Sequence, residues 1–196
     1  MTSPEDRQLI ERCRNGDREA FDALVRRYER QAYNLAYRLT GNYDDANDVV
    51  VEAFVRAFQG LHTFRGDANF STWLHRVVVN TFLDLRKRSK GRQQMVSLEE
   101  QMELDGDTLT RQIEDTAPGP QELVEEQERE QVLQRAIDQL SPDRRILIVL
   151  YHFENLSYEE IAQMLKLPVG TVKSRLNRAR LALREILEPS RELFGR

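Results

Sequence analysis

Apolar residues recur every three or four positions along the first part of the chain, which is the spacing of one face of an α-helix. One stripe consists of Phe21, Leu24, Val25, Tyr28, Ala32, Leu35 and Leu39. Gly41 and Asn42 interrupt the pattern, and a second stripe follows at Val50, Phe54, Ala57, Phe58 and Leu61. Two helices joined by a short break are therefore predicted here, the second running from Asp44 to Leu61.

Start and stop signals predict further helices. Ser71 is expected to cap a helix that ends near Arg88, and another helix is expected after Pro120. The pair Ser141-Pro142 is a cap and first-turn signal for a helix through Phe153. The valine-rich segments lie within helical stripes, and no Asn-Gly or Asp-Gly pair separates two alternating runs. The chain is therefore predicted to be all-α.

Residues 157–184 predict two short helices joined by a tight turn. Ser157 and Glu160 have the Ser-x-x-Glu spacing of a capping box, so a helix is expected to begin there. Pro168 and Gly170 end it, because proline disfavours helical geometry before itself and glycine permits a sharp turn. A second helix is expected to begin near residues 169–171. Together the two helices predict a carboxy-terminal helix-turn-helix.

The second of these helices has an apolar side and a polar side. At about 100° per residue, the apolar side consists of Val172, Leu176, Ala179 and Leu183. The side that points away consists of Thr171, Ser174, Asn177 and Arg178. Hydroxyl, amide and guanidinium groups are the types that bind phosphates and base edges, so this side is predicted to read DNA.

Charge supports that interpretation. The whole chain has 29 Lys and Arg against 33 Asp and Glu, a net charge of −4. Residues 171–184 nevertheless hold five basic residues and no acidic one, namely Lys173, Arg175, Arg178, Arg180 and Arg184. Such a concentration of cations is typical of a nucleic-acid surface. An ordinary surface helix with solvated cations is the alternative, and the cap, the turn and the lack of acids together favour the helix-turn-helix.

An acidic segment divides the chain. Residues 97–130 carry twelve acidic side chains and two arginines, a net charge of −10. Five cations precede them, at Arg86, Lys87, Arg88, Lys90 and Arg92. The composition predicts a flexible acidic linker at 93–125, between a helical domain at 1–92 and a second at 126–196. The linker is either a solvated connector or a set of acids that imitates nucleic acid in a positively charged channel of a partner.

Other features argue against several classes of protein. Cys13 is the only cysteine, so an intrachain disulfide is excluded and a reducing, cytoplasmic setting is expected. The histidines are scattered, and no Gly-rich phosphate loop or metal-ligand spacing occurs, so neither an enzyme nor a metal or other cofactor is expected. The start of the chain lacks a signal-peptide pattern and no apolar run approaches the ~20 residues of a membrane span, so membrane insertion is not expected.

Three stretches resemble one family. They are DREAFDALVRRYERQAYNLAYRLTGNYDDANDVVVEAFVRAF at 17–58, FRGDANFSTWLHRVVVNTFLDLRKR at 64–88 and LSPDRRILIVLYHFENLSYEEIAQMLKLPVGTVKSRLNRARLALRE at 140–185. In this order, with the acidic tether between them, they resemble the extracytoplasmic-function (ECF) class of bacterial RNA polymerase sigma factors of the sigma-70 family. The resemblance implies a protein that binds core RNA polymerase and directs promoter-specific transcription initiation, in response to stress or envelope signals.

For the first domain the resemblance implies two surfaces. The helix from Asp44 to Phe58 would bind the clamp of the largest polymerase subunit, through Asp48, Glu52, Phe54 and Arg56. The loop and helix that follow would capture an unstacked base of the minus-ten promoter element, since exposed bases offer π faces and hydrogen-bonding edges. The residues expected there are Phe64, Asn69, Phe70, Arg76, Asn80, Arg86 and Arg88. Core packing is the alternative for Phe64 and Phe70, and it is favoured for Trp73.

For the second domain the resemblance implies reading of the duplex minus-thirty-five element and contact with the flap of the second-largest polymerase subunit. The residues expected at the DNA are Thr171, Lys173, Ser174, Arg175 and Arg178. Arg144 and Arg145 are expected either to bind phosphate or to be solvated. In the family the linker runs toward the active-site cleft and the RNA exit path, and an anti-sigma factor commonly wedges between the two domains.

The polymerase-binding helix departs from the family pattern at two positions. Asn47 stands where the family often has an acidic residue, and Val51 where it often has glutamine. Two other functions stay open at this point. A stand-alone helix-turn-helix regulator would bind duplex DNA without polymerase, and an adaptor would bind polymerase without opening a promoter.

Overall fold

The computed structural model describes residues 2–66, 68–96 and 120–194, with side chains described at 2–66, 68–88 and 128–194. These residues form helices and turns, with no strand among them. Helices α1–α4 make up the first module, residues 2–96, and α5–α8 make up the second module, residues 120–194. The predictions of an all-α chain and of two helical domains are confirmed. Most of the predicted linker, residues 97–119, lies outside the described residues.

The first module is built from helices with strong start and stop signals. Helix α1 spans Pro4–Arg14, α2 Arg18–Thr40, α3 Tyr43–Gly60 and α4 Phe70–Val96, with a 3-10 turn at Leu61–Thr63. Ser3, Asp17 and Asn42 each accept a hydrogen bond from a first-turn amide. Gly41 ends α2 in the left-handed region (φ 71°), which only glycine adopts without strain. The predicted break at Gly41 and Asn42 is confirmed.

The bounds of α4 differ from the prediction at both ends. The helix begins at Phe70, and its first backbone hydrogen bond runs from the Trp73 amide to the Asn69 carbonyl. Ser71 therefore lies inside the helix and does not cap it. The helix continues to Val96, past the expected end near Arg88, because the Lys, Arg and Gln residues of this segment favour helix.

The second module begins with the helix expected after Pro120. Helix α5 spans Pro120–Gln139, α6 Pro142–Ile148, α7 Tyr158–Leu165 and α8 Val169–Leu187, and a 3-10 segment follows at Glu188–Phe194. Helix α6 continues as a π-helical turn at Val149–Phe153. In that turn the Glu154 amide donates to the Val149 carbonyl (3.1 Å), one residue further back than in an α-helix.

Helices α7 and α8 form the predicted helix-turn-helix. The Ser157 hydroxyl accepts from the Glu160 amide (3.2 Å), and the Glu160 carboxylate accepts from the Ser157 amide (2.9 Å), so the capping box is confirmed. Lys166 ends α7 with a left-handed φ of 55°. The apolar side of α8 is buried as predicted at Val172, Leu176 and Ala179.

The two modules pack directly against each other, and one cluster of buried apolar residues runs through both. Arg145 on α6 donates to the Leu39 carbonyl on α2 (2.7 Å) and to the Asp138 carbonyl on α5, and its side chain is only 12% exposed. Gly41 lies at the same junction, where an added Cβ atom would come within 2.5 Å of the Asp138 carboxylate. Arg145 is therefore neither solvated nor placed to bind phosphate, because it joins the modules.

Further polar contacts extend along this junction. Arg38 on α2 pairs with Glu130 on α5 (3.3 Å), and its guanidinium lies 4.0 Å from the ring centroid of Phe153. His75 Nε2 on α4 lies 3.2 Å from Glu154 Oε2, and both side chains are buried. Burial lowers the pKa of His75 to about 4 and raises the pKa of Glu154. His75 is therefore uncharged near neutral pH, so this contact is not a salt bridge there.

Candidate nucleic-acid interface

The accessible part of α8 is the first candidate surface. We define the reading face as the predicted residues Thr171, Lys173, Ser174, Arg175 and Arg178. Thr171 is half-buried and the other four are exposed. The Ser174 hydroxyl donates to the Thr171 carbonyl (3.0 Å), and Lys173 Nζ lies 5.4 Å from the ring centroid of Tyr158. Because burial of the apolar side fixes the rotation of α8, these groups face solvent together.

Arg180 of the same helix does not join the reading face. Its guanidinium lies 4.6 Å from the ring centroid of Tyr151, and its Nε donates to His152 Nε2 (3.0 Å). Burial, together with the charge of Arg180, lowers the pKa of His152. Beside these groups lies the apolar groove, a depression of about 530 Å³ lined by Leu133, Phe153, Leu183, Leu187 and Phe194 among others. The second module therefore presents a polar surface and a separate apolar one.

The aromatic rings near the start of α4 pack inward. We call residues 64–66 and 68–70 the minus-ten loop. Phe64 and Phe70 are only 5% and 1% exposed, and their ring centroids lie 5.7 Å apart. The half-buried Trp73 ring lies 5.5 Å from Phe64 and 5.6 Å from Phe70. This corrects the prediction that Phe64 and Phe70 offer their rings to a base: both side chains lie in the core and support the loop from beneath.

Polar residues of this region are accessible instead. Asn69, Arg76, Asn80 and Arg88 are exposed, as is Arg65, which the sequence prediction did not select. Arg76 and Asn80 lie four residues apart on one face of α4, as predicted. Arg65, Trp73 and Arg76 line a cavity of about 380 Å³ beside the loop. The cavity combines an aromatic ring with two guanidinium groups, which suits an unstacked base and its phosphate.

Helix α7 of the second module forms the opposite wall of that cavity. Glu160, Gln163 and Met164 line it from this side, and Arg76 donates to the Gln163 carbonyl (2.5 Å). In this arrangement the second module walls one side of the cavity and contacts Arg76, while Asn69, Asn80 and Arg88 of the predicted minus-ten set stay exposed.

Arg86 was predicted for DNA and Asp48 for polymerase, yet both line one cavity of about 700 Å³ between the modules. Asp48 is exposed and Arg86 is half-buried. Burial lowers the pKa of Arg145, and the nearby charge of Arg86 lowers it further. Arg86 therefore lies beside the module junction in this structure and not on an open strand-binding surface.

Helix α3 carries the residues predicted to bind polymerase. Phe54 is 9% exposed, and its ring centroid lies 6.5 Å from that of Phe21, so it belongs to the core and its predicted contact is corrected. Arg56 bonds to Asp84 on α4 (2.7 Å) and to Glu52 (2.8 Å), and both bonds raise the pKa of Arg56. Asp48 is exposed, and the Glu52 side chain keeps 38% of its surface exposed beside Arg56.

Three apolar side chains on α3 are exposed, and the sequence prediction did not select them as a surface. Val51, Val55 and Phe58 are 66%, 46% and 48% exposed, and we call them the apolar strip. Phe58 was predicted in the buried stripe, but its contact with Phe21 (4.9 Å between ring centroids) covers only part of the ring. Their spacing of four and three residues places them on one helical face, and exposed apolar strips are typical of protein-binding surfaces.

Two segments of the chain match models of known families. Residues 24–92 match sigma-70 region 2, and residues 130–183 match sigma-70 region 4. The chain is 38% identical over 192 residues to the RNA polymerase sigma-H factor of Pseudomonas aeruginosa, covering 96% of this chain and 97% of the relative. It is also 38% identical over 187 residues to the ECF RNA polymerase sigma-E factor of Escherichia coli K12, covering 94% and 95%. The chain belongs to the ECF sigma factors.

Solved structures share the fold of this sigma factor. Its TM-score is 0.66 with the sigma factor RpoE of Bartonella quintana, solved in complex with the anti-sigma factor NepR, at 23% identity, covering 86% of this chain and 96% of RpoE. Its TM-score is 0.62 with CnrH, solved in complex with the cytosolic domain of CnrY, at 25% identity, covering 94% and 98%. The likeness extends over both modules in each case.

The function follows from the family. As a sigma factor, the protein binds core RNA polymerase and promoter DNA and directs promoter-specific transcription initiation. The relatives that it matches are transcription regulators and not catalysts. Among the described residues, no helix has the length and apolar character needed to cross a membrane.

Proposed function

We propose that this sigma factor recognises promoters with two surfaces on different modules. The reading face of α8 binds the duplex minus-thirty-five element, and Asn69, Arg76, Asn80 and Arg88 bind the minus-ten strand. One observation carries this assignment. On both α4 and α8 the apolar side is buried, at Val78 and Leu176 for example, while amide, hydroxyl and guanidinium groups stand exposed on the other side.

On α8, the side chains divide into short hydroxyl groups and long cationic groups. Thr171 and Ser174 lie in the first turns, where backbone amides and hydroxyls suit a phosphate. Lys173, Arg175 and Arg178 carry longer cationic side chains, and arginine can pair with guanine through two hydrogen bonds. This part of the protein therefore contributes sequence reading, while polymerase contributes most of the affinity.

On α4, recognition of a base requires that the modules separate. The cavity beside the minus-ten loop is closed on one side by Glu160, Gln163 and Met164 of α7. A carboxylate at that position also opposes the entry of a phosphate. Separation would free Arg65, Arg76 and Trp73 to hold an unstacked base, with Asn80 bonding to its strand.

Polymerase binding supplies that separation. Asp48, Glu52 and the apolar strip on α3 bind the clamp of the largest subunit, with Arg56 holding Glu52 in place. The apolar groove of the second module binds the flap of the second-largest subunit. Each module thus has its own contact site, and two sites held apart on polymerase would draw the modules away from each other.

An anti-sigma factor would oppose the binding of core polymerase. The RpoE structure is a complex with the anti-sigma factor NepR, and the CnrH structure is a complex with the cytosolic domain of CnrY. We expect a partner of this kind to wedge between the two modules of the present chain and block their contacts with polymerase. Both events belong to the cytoplasm, where RNA polymerase acts.

In vitro transcription with core polymerase and a library of promoters tests the proposal. We expect defined start sites that require this sigma factor, reduced use of minus-thirty-five elements by Arg178→Ala and impaired opening by Asn80→Ala. Arg135→Ala is the matched control, because Arg135 is exposed on α5 and bonds only to Gln131 among the contacts described. Specific duplex binding without core and no initiation would favour the stand-alone regulator, and core binding without opening would favour the adaptor.

A further inference from the structure

Residues 2–14, which include helix α1, lie before the segment that matches region 2, which begins at residue 24. They nevertheless contact the minus-ten loop at two points. Arg14, at the end of α1, donates to the Phe64 carbonyl. The hydroxyl of Thr2, just before α1, donates to the Ala68 carbonyl (2.9 Å). Thr2 is 4% exposed and the Arg14 side chain is 34% exposed. Opposite ends of one short segment therefore hold the backbone on both sides of Gly66.

The α1 segment is itself firmly attached to α2. The buried carboxylate of Asp6 accepts from the Tyr28 hydroxyl (2.7 Å) and from Arg27 (2.8 Å), and Arg27 also bonds to Glu5 (2.5 Å). Burial alone would raise the pKa of Asp6, but the hydrogen bonds from Tyr28, Ser3 and Arg27 outweigh it and lower the pKa. Asp6 is therefore ionised near neutral pH and anchors the segment.

Gly66 lies between the two held carbonyls and is exposed. Gly66 has a φ of 80°, and no atom lies within 4 Å of the place where its Cβ would be. Arg65, Gly66 and Ala68 line the cavity beside Trp73, so the loop backbone sets the width of that cavity. Residues 2–14 thus contact the backbone of a surface to which they contribute no lining residue.

We propose that Arg14 and Thr2 are positioning residues for minus-ten recognition. They fix the Phe64 and Ala68 carbonyls before DNA arrives, so that the loop is ordered in the shape that accepts the unstacked base. A site ordered in advance loses less conformational entropy on binding and discriminates better between bases. This inference rests on the proposed role of the minus-ten loop.

The test uses the full chain with core polymerase and compares Arg14→Ala with Arg12→Ala. Arg12 lies on the same helix and pairs with Asp17 (2.7 Å), away from the loop. Three quantities are measured: affinity for core, affinity for the closed promoter, and the opening rate reported by 2-aminopurine in the minus-ten element. The opening rate is compared on the best promoter of the library and on single-base variants of its minus-ten element.

Loss of one charge-assisted hydrogen bond should slow opening by Arg14→Ala about tenfold and flatten its discrimination between the promoters. Core affinity should stay within about twofold, as for a surface substitution. Arg14→Lys, which keeps a cationic donor, should restore most of the rate. Thr2→Val keeps the shape of the side chain, removes the hydroxyl and should give the same defect to a smaller degree.

Equal opening rates for Arg14→Ala, Arg12→Ala and the unmodified chain would overturn the inference. A parallel loss of core affinity and opening, not restored by lysine, would overturn it as well, because it would show general damage to the module. Thr2→Val decides the matter if Arg14→Ala fails to fold. Failure of the unmodified holoenzyme to open any promoter would instead overturn the proposed function, so the two failures are distinguishable.

Discussion

The reading face of α8 and the predicted minus-ten surface of α4 differ in what the other module contributes to each. On α8, four of the five predicted residues are exposed. On α4, Arg76 is bonded to Gln163 of the second module, and helix α7 walls the cavity beside the loop. The second module therefore contacts one of the two predicted DNA surfaces, at Arg76 and the cavity, while the rest of that surface stays exposed.

The difference follows from what each surface has to recognise. Duplex DNA presents base edges in a groove that a helix can enter without deforming them, so an exposed polar face is sufficient. An unstacked base has to be enclosed, and its site therefore needs a cavity with a defined wall. In this structure part of that wall comes from α7 of the other module.

The largest expected effect comes from breaking the junction at Arg145. Arg145→Met removes bonds to the partly buried Leu39 and Asp138 carbonyls and leaves both without this donor, so it should lower the free energy of unfolding by about 2–4 kcal/mol. Free sigma factor should then bind a minus-ten oligonucleotide more tightly, because α7 is less firmly held. Urea unfolding and fluorescence anisotropy measure the two effects.

Arg144→Met is the control for that experiment, since Arg144 is the exposed neighbour. It should change stability by less than about 0.5 kcal/mol. Equal stabilities for the two variants would show that the Arg145 contacts do not hold the junction.

A smaller effect is expected from Gly41→Ala. The side chain would adopt a left-handed backbone and meet the Asp138 carboxylate at 2.5 Å, so a loss of about 1–3 kcal/mol is expected. Gly66→Ala serves as the reference, because Gly66 has a similar φ of 80° but open space around it. Thermal unfolding of both variants separates the cost of the left-handed backbone from the cost of the contact with Asp138. A smaller loss of stability for Gly41→Ala than for Gly66→Ala would contradict the observed closeness of the modules.

Arg178→Ala addresses the open surface. It should reduce transcription from promoters that depend on the minus-thirty-five element about tenfold, which corresponds to the loss of one good base contact. Opening of a promoter with pre-melted minus-ten DNA should change little, since that surface is on the other module. Run-off transcription on matched templates measures both, and equal losses on the two templates would remove Arg178 from the reading face.

The smallest effect is expected at the cap of α7. Ser157→Ala removes the hydroxyl that accepts from the Glu160 amide, and should lower the free energy of unfolding by about 1 kcal/mol. Ser174→Ala is the comparison, because the Ser174 hydroxyl donates to the Thr171 carbonyl of its own helix on an exposed surface. Chemical unfolding that ranked the two serines equally would show that the capping box contributes nothing measurable.

Local signals predicted most of the helices. The break at Gly41 and Asn42, the capping box at Ser157 and the buried side of α8 each depend on residues within a few positions of one another, so a sequence pattern contains the necessary information. The apolar strip could have been predicted for the same reason, because its three residues lie within one helix. It was missed because Phe58 was assigned to the core stripe of the same helix, which it borders.

Contacts between distant parts of the chain were not predictable in this way. The bond from Arg145 to Leu39 spans 106 positions, and nothing near either residue indicates the other. Phe64 and Phe70 lie where helical periodicity ends, so no stripe showed which way their rings point. Their packing depends on Tyr28 and Trp73, which belong to different helices.

The π-helical turn at Val149–Phe153 has a consequence for how insertions and deletions act on this chain. Its extra residue sits between the buried part of α6 and the pair Phe153 and Glu154, which meet Arg38 and His75 of the first module. Deleting one residue there would restore an ordinary α-helix and rotate Phe153 and Glu154 by about 100° relative to the residues before them. Phe153 and Glu154 would both lose their partners across the junction, although neither side chain had changed. The packing of the two modules therefore depends on the number of residues in this turn as well as on their side chains.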